Sequence, residues 1–148
     1  MSAQRIFPAK VSPHIYQTIV KLDTQIYTET TLDKELIELI KIKISQLNGC
    51  AFCIDFHTKQ GLKLGITPRK IFLLDAFHET SFFTDKEKAA LSWAEAVTFI
   101  THIGAKDEYF NLLKNYFSDK EIVDLTYLVG LVNVWNRLAI SMVYNLDE

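Results

Sequence analysis

The chain has 148 residues, 49% of them hydrophobic and 23% charged, which suits one domain over 1–148 with a core of useful size. Its formal net charge of -2 and lack of any basic run argue against nucleic acid or an anionic membrane surface as a partner.

In chain order the sequence reads as helices separated by short punctuation, with no internal repeat or linker. Ser12-Pro13 has the form of an N-cap followed by proline in the first turn, and predicts a helix over 13–27. A second helix is expected over 33–48, stopped by Gly49, and a third over 50–64, ending at Gly65. Thr67-Pro68 repeats the cap-and-proline signature and opens a short helix to about Phe77. Thr84 with Glu87 has capping-box spacing ahead of a helix reaching Phe99, and a short helix follows over 106–116. Ser118 with Glu121 is a second such box, opening a long final helix. Strand signals are weak, so an all-α fold of about seven helices is predicted.

The final helix carries apolar residues on nearly every face, among them Val123, Leu128, Val134 and Ile140. Either a partner subunit covers part of it or the other helices wrap it as a central element. The first eleven residues hold Arg5, Pro8 and Lys10 and lack the apolar stretch of a secretory signal. The apolar region 122–144 is broken by Asp124 and Arg137, leaving 125–136 too short to span a bilayer. A cytoplasmic protein in a reducing compartment is expected.

Only two cysteines occur, Cys50 and Cys53. A bridge closing so small a loop removes little unfolded-chain entropy, and a zinc site needs ligands that a single Cys pair does not supply. Redox use remains. On a helix, Cys50, Cys53, His57 and Gly61 share one stripe, while Phe52 and Phe56 point away from it toward a packing surface. Helical residues three apart lie roughly 5 Å from each other at Cα, within bridging range. The position just after Gly49 places both sulfurs near free backbone N–H groups that favour a thiolate. His57, leaning back toward the N-terminus, can approach Cys53 as a base. Read singly, each cysteine could be a small buried hydrophobe and the histidine a packed or solvated residue. All three on one stripe at a helix start argue for chemistry.

The run from Glu38 through Gly49-Cys50-Ala51-Phe52-Cys53-Ile54-Asp55-Phe56-His57 resembles the AhpD-like alkylhydroperoxidase core of the carboxymuconolactone decarboxylase superfamily. The signature is a glutamate, a cysteine twelve positions on, then C-x-x-C-x-x-x-H. Further similarity lies in Phe82-Phe83-Thr84, in 89–95 and in Asn133-Val134-Trp135-Asn136-Arg137-Leu138-Ala139, with the core motif region over 32–101. The resemblance implies a peroxidase in which Cys53 attacks the hydroperoxide, Cys50 resolves the sulfenic acid to a disulfide, and His57 with Glu38 relays protons. It also implies no bound cofactor, a dithiol or lipoyl-bearing partner as reductant (a dihydrolipoyl group), and a homo-oligomer, trimer or hexamer.

By pattern alone Glu38 falls beside Lys34, Lys41 and Ser45 on the polar side of its helix, as a surface residue paired with those lysines. Its assignment to the relay comes from the resemblance. Phe52 is a departure: the best-known peroxidases of this kind carry a histidine directly before the second cysteine. Of the other histidines, His14 is expected to be exposed, His78 to sit in a turn that could border a substrate pocket, and His102 to end a helix. None is assigned to catalysis. Two other functions share the motif or the superfamily: a redox sensor or dithiol adaptor, and a decarboxylase without need of the cysteine pair.

Overall fold

A computed structural model of the chain describes residues 3–146, so both ends of the expected 1–148 domain lie outside the described residues. Among these residues every regular element is helical: α1 (Pro8–Val11), α2 (Pro13–Glu29), α3 (Lys34–Asn48), α4 (Ala51–Lys63), α5 (Pro68–Phe72), a 3-10 segment (Leu74–Glu79), α6 (Asp85–Thr98), α7 (Asp107–Lys114) and α8 (Asp119–Met142). The all-α prediction therefore holds, with α1 as an unforeseen turn. The expected helix from Pro68 to Phe77 breaks after Phe72, and Ala76 has non-helical angles. Both capping boxes form, Thr84 with Glu87 and Ser118 with Glu121. Ser12 precedes Pro13 as expected, but its side chain makes no cap bond.

The central helix is α3. Every residue from Leu36 to Ser45 is buried, with Ile and Leu side chains distributed around its circumference. It packs against α4, α6 and α8, and its leucines and isoleucines join Phe77, Leu91, Leu113, Leu125 and Val129 in the main core. The polar residues in this stretch are also enclosed, and each finds a partner as burial demands. Lys41 pairs with Asp23 of α2 at 3.2 Å, and Lys43 with Asp75 at 2.9 Å and Glu95 at 3.1 Å. Ser45 Oγ donates to the carbonyl of Lys41 at 2.7 Å.

The final helix, expected to be apolar all round, is one-sided. Ile122, Leu125, Leu128, Val129, Leu131, Val132, Asn136 and Ala139 are buried. Positions 123, 127, 130, 134, 137 and 141 face solvent, three and four apart, with Val123, Tyr127 and Val134 among them. The helix wrapped on all sides is α3, whose interspersed charges give it the pattern of a partly solvated helix. No helix among the described residues is long and apolar enough to cross a membrane.

Candidate active site

The turn between α3 and α4 fixes the geometry. Gly49 adopts φ +69°, ψ +32°, a left-handed conformation that costs glycine nothing. Its N–H donates to the Gln46 carbonyl at 3.1 Å, and the Cys50 N–H donates to the Ser45 carbonyl at 2.9 Å. This paired closure is the Schellman arrangement of a helix end. It turns the chain so sharply that Cys50 becomes the N-cap of α4, one position outside the helix in which the sequence placed it. The backbone N–H of Cys53 donates to Cys50 Sγ at 3.4 Å.

Cys50 and Cys53 are joined in a disulfide, with Cα atoms 5.3 Å apart. Both pack against Ala139 of α8 beneath Phe52 and Tyr144. Cys50 is 1% exposed and Cys53 5%, and only Cys53 reaches the adjoining cleft.

One turn beyond Cys53, His57 Nδ1 lies 2.9 Å from Glu38 Oε2. Glu38 is 4% exposed, which overturns its reading as a surface residue flanked by lysines. Lys41 is turned to Asp23, and Lys34 donates to the carbonyl of Tyr27. The polar side of α3 is in fact its site-facing side, because α4 and α2 cover it. Gly61 keeps the face of α4 that meets α3 small. A Cβ there would meet Ile66 Cδ1 at 3.1 Å, Ile42 Cδ1 at 3.5 Å and the Glu38 Cβ at 3.8 Å.

The cleft above Cys53 and His57 has a volume of about 250 Å³. Its walls come from α2 (Tyr16, Val20, Asp23), from α4 (Phe52, Phe56) and from α8 with the segment after it (Trp135, Ala139, Tyr144). Phe52 and Phe56 were expected on a packing surface away from the cysteine stripe, yet they line the same cleft, and Phe56 is half exposed. The α2 and α8 contributors carry no sequence signal for a site, since they are ordinary apolar positions until the helices are packed. Tyr16 meets Trp135 edge-to-face at 5.4 Å, and Tyr144 meets Phe52 likewise at 5.2 Å. Burial, reinforced by neighbouring Tyr16, pushes the Tyr144 phenol above its usual range, so it stays protonated near neutrality.

Behind the disulfide lies a buried amide network. Asn136, fully enclosed, donates from Nδ2 to Ser45 Oγ at 3.0 Å and accepts at Oδ1 from Asn48 Nδ2 at 2.9 Å. Asn48 Nδ2 also donates to Asn133 Oδ1 at 3.0 Å, and Asn133 donates to Thr98 Oγ1 at 3.1 Å. These bonds pin the end of α3 and the turn that presents Cys50 to α8.

The remaining histidines stand apart. His14 and His102 are exposed. His78 borders no part of the cleft and lies 3.6 Å from Glu95 at the other side of α3. Among the described residues no group of three or more His, Cys, Asp or Glu side chains is arranged to hold a metal ion.

Residues 13–96, which include the whole C-x-x-C-x-x-x-H segment and Glu38, match the carboxymuconolactone decarboxylase family. The chain belongs to that family. Within it, the chain is an AhpD-like member. It is 36% identical over 141 residues to the uncharacterized protein YdfG of Bacillus subtilis, covering 95% of each chain. A crystal structure of an Agrobacterium tumefaciens protein of unknown function, described there as a candidate AhpD antioxidant defence protein, superposes with a TM-score of 0.94 at 36% identity over 99% of both chains. The debrominase Bmp8 in complex with 2,3,4-tribromopyrrole shares the fold at TM-score 0.82 and 20% identity, over 92% of this chain and 72% of that one. Family members of this AhpD-like shape thus share the helical frame that brings Glu38, the cysteine pair and His57 together here.

Proposed function

We propose that this family member is a thiol-dependent peroxidase working through the Cys50–Cys53 disulfide. The observation that carries the reading is the buried Glu38–His57 pair standing one turn from a redox-joined cysteine that opens onto a cleft.

In the reduced protein, Glu38 accepts the Nδ1 hydrogen bond of His57, which leaves Nε2 to take the proton of the Cys53 thiol. The Cys53 thiolate then attacks the distal oxygen of a hydroperoxide ROOH. An S–O bond forms, the O–O bond breaks, and the departing alkoxide takes the proton held by His57 to leave as ROH. The Cys50 thiol attacks the sulfenic acid, giving the disulfide and water. Cys53, the sulfur bordering the cleft, suits the first role, and the enclosed Cys50 suits the second.

An external dithiol of the dihydrolipoyl type closes the cycle. Its thiolate attacks Cys53 Sγ and the disulfide breaks. Cys50 leaves as a thiolate, supported by the backbone N–H of Cys53 at the start of α4. The donor's second thiol then releases reduced Cys53 and carries away the disulfide. No cofactor need be bound.

A second reading keeps the same residues as a redox sensor or dithiol adaptor. Phe52 favours it, because this apolar ring stands beside Cys53 where a further proton donor would speed peroxide reduction. Decarboxylase chemistry would leave the disulfide without a task. The exposed stripe of Val123, Tyr127 and Val134 on α8 supports assembly as a homo-oligomer, trimer or hexamer.

A stopped-flow peroxidase assay with dihydrolipoamide tests the proposal. Rapid turnover that vanishes in Cys53→Ser is the expected result. Turnover no faster than that of a free thiol, combined with rapid exchange with a protein dithiol, would move the assignment to the adaptor.

A further inference from the structure

Five of the ten residues around the cleft are aromatic, and they come from separate parts of the chain: Tyr16 from α2, Phe52 and Phe56 from α4, Trp135 from α8 and Tyr144 from beyond it. They are arranged as a frame of faces and edges. Phe52 and Phe56 lie nearly parallel, 12° between planes and 6.5 Å between centroids. Tyr144 stands across Phe52 at 87°, and Tyr16 across Trp135 at 73°. A flat ring entering such a frame meets both faces and edges of partner rings, the geometry in which aromatic contacts are favourable.

Size and charge narrow the occupant. At about 250 Å³ the cleft lies below the roughly 300–1,000 Å³ typical of sites for drug-sized ligands, so the aromatic frame holds one ring and a short branch, and a long acyl chain would leave most of its length outside the frame in solvent. Its one carboxylate is Asp23, whose partner Lys41 is buried and does not border the cleft. An anionic substrate would meet Asp23 with no lysine or arginine bordering the cleft to offset it. Hydrogen peroxide fits but has no apolar surface to bury against the rings.

We propose that the cleft selects a compact, neutral organic hydroperoxide bearing a single aromatic ring next to the peroxide carbon. This rests on the peroxidase reading for its chemistry, while the ring recognition belongs to the cleft itself. The ring sits among Tyr16, Phe52, Trp135 and Tyr144, and the –OOH group projects toward Cys53 and His57. Oxidation of the Cys53 thiolate yields the corresponding benzylic-type alcohol, with the atom balance given above.

The experiment follows single-turnover oxidation of the reduced protein by intrinsic tryptophan fluorescence, using cumene hydroperoxide, tert-butyl hydroperoxide, hydrogen peroxide and linoleic acid hydroperoxide. In parallel, 2-phenyl-2-propanol and tert-butanol are titrated into the oxidised protein to read binding without turnover. The second-order rate constant for cumene hydroperoxide should exceed each of the others by about tenfold or more, within the discrimination that apolar contacts support. The phenyl alcohol should bind and tert-butanol should not. Tyr16→Ala and the gentler Phe52→Leu should collapse the ratio, mainly through the concentration dependence rather than the limiting rate. Equal constants for all four peroxides, or a preference for the fatty-acid or hydrogen peroxide, would overturn the proposal and leave the peroxidase reading standing. No oxidation by any peroxide would overturn the peroxidase reading, and binding of the phenyl alcohol would then still mark a ring-binding cleft. Absence of that binding overturns the ring selectivity in either case.

Discussion

His57 Nδ1 and Glu38 Oε2 lie 2.9 Å apart although nineteen positions separate them in the chain, and the carboxylate sits almost wholly inside the protein. A buried carboxylate is costly unless it is paired and hydrogen-bonded. The imidazole provides that partner and is in turn held in one orientation with one nitrogen committed. The fold thereby uses a costly group to hold the imidazole in one orientation.

Replacing Glu38 by Gln keeps the volume and removes the charge. Oxidation of Cys53 by peroxide should slow by about 10²-fold, the lower end of what general acid–base assistance contributes. Stopped-flow measurement at fixed pH checks it, with the circular dichroism spectrum expected to be unchanged. An unaltered rate would remove Glu38 from the relay.

The two cysteines should fail differently. Cys53→Ser should abolish peroxide consumption, while Cys50→Ser should consume one equivalent and stop at a sulfenic acid. Mass spectrometry after trapping with dimedone distinguishes them. A trapped adduct on Cys50 in the Cys53→Ser protein would exchange the assigned roles.

At Gly61 the first added atom presses on the flexible tips of Ile66 and Ile42 and meets the Glu38 Cβ at an ordinary 3.8 Å, so Gly61→Ala should change stability by less than about 1 kcal/mol. Gly61→Val adds two branches beyond that Cβ, which already stands in contact with Ile66, Ile42 and Glu38. A loss of about 1–3 kcal/mol in urea unfolding is expected, together with slower Cys53 oxidation as α4 moves away from Glu38.

Asn136→Ala removes one hydrogen bond from Ser45 and one from Asn48, while Ser45 keeps the Lys41 carbonyl and Asn48 keeps Asn133. Each lost bond is worth about 0.5–1.5 kcal/mol, so the midpoint of urea unfolding should fall by the equivalent of about 1–3 kcal/mol. The redox potential of the disulfide should shift as well, since these bonds tether the turn that carries Cys50.

Glu121 gives a pH-dependent prediction. The backbone N–H of Ser118 holds its carboxyl below the ordinary value of 4.5. Partial burial opposes this, and the Ser118 and Thr31 hydroxyls and Lys86 add to the lowering. A carboxyl lowered on folding stabilises the protein above its unfolded value, and that contribution disappears as pH falls through the folded one. Glu121→Gln should therefore flatten the stability profile below about pH 4.5. The group is only partly buried and still reaches solvent, so the effect should not exceed about 1 kcal/mol. Thermal melts across pH 2–7 measure it.

The helices and the cysteine stripe were legible in the sequence because they depend on local rules: caps, glycine stops and spacings of three and four. The capping boxes at Thr84 and Ser118 formed as spelled. What depended on which helix lies next to which was not legible. The lysine-rich face of α3 resembles a solvated surface, and only the packing of α2 against it supplies Asp23 for Lys41 and makes the face internal. Tyr16 and Tyr144 are 128 positions apart, and nothing local in either announces a shared cleft. Glu38 became visible in advance only through the family motif, since its own surroundings in the sequence pointed outward.

The wrapping of α3 on every side has a consequence for how such a chain can vary. A substitution between Leu36 and Ser45 is felt by several helices at once, and so is any drift of Glu38 from its histidine. Tyr16, Val20 and Phe56 border solvent on one side and the cleft on the other. Their side chains can be exchanged without reordering the interior. Glu38 and its histidine partner are thus anchored where change is least tolerated, while the rim of the cleft is built from residues that can be revised one at a time.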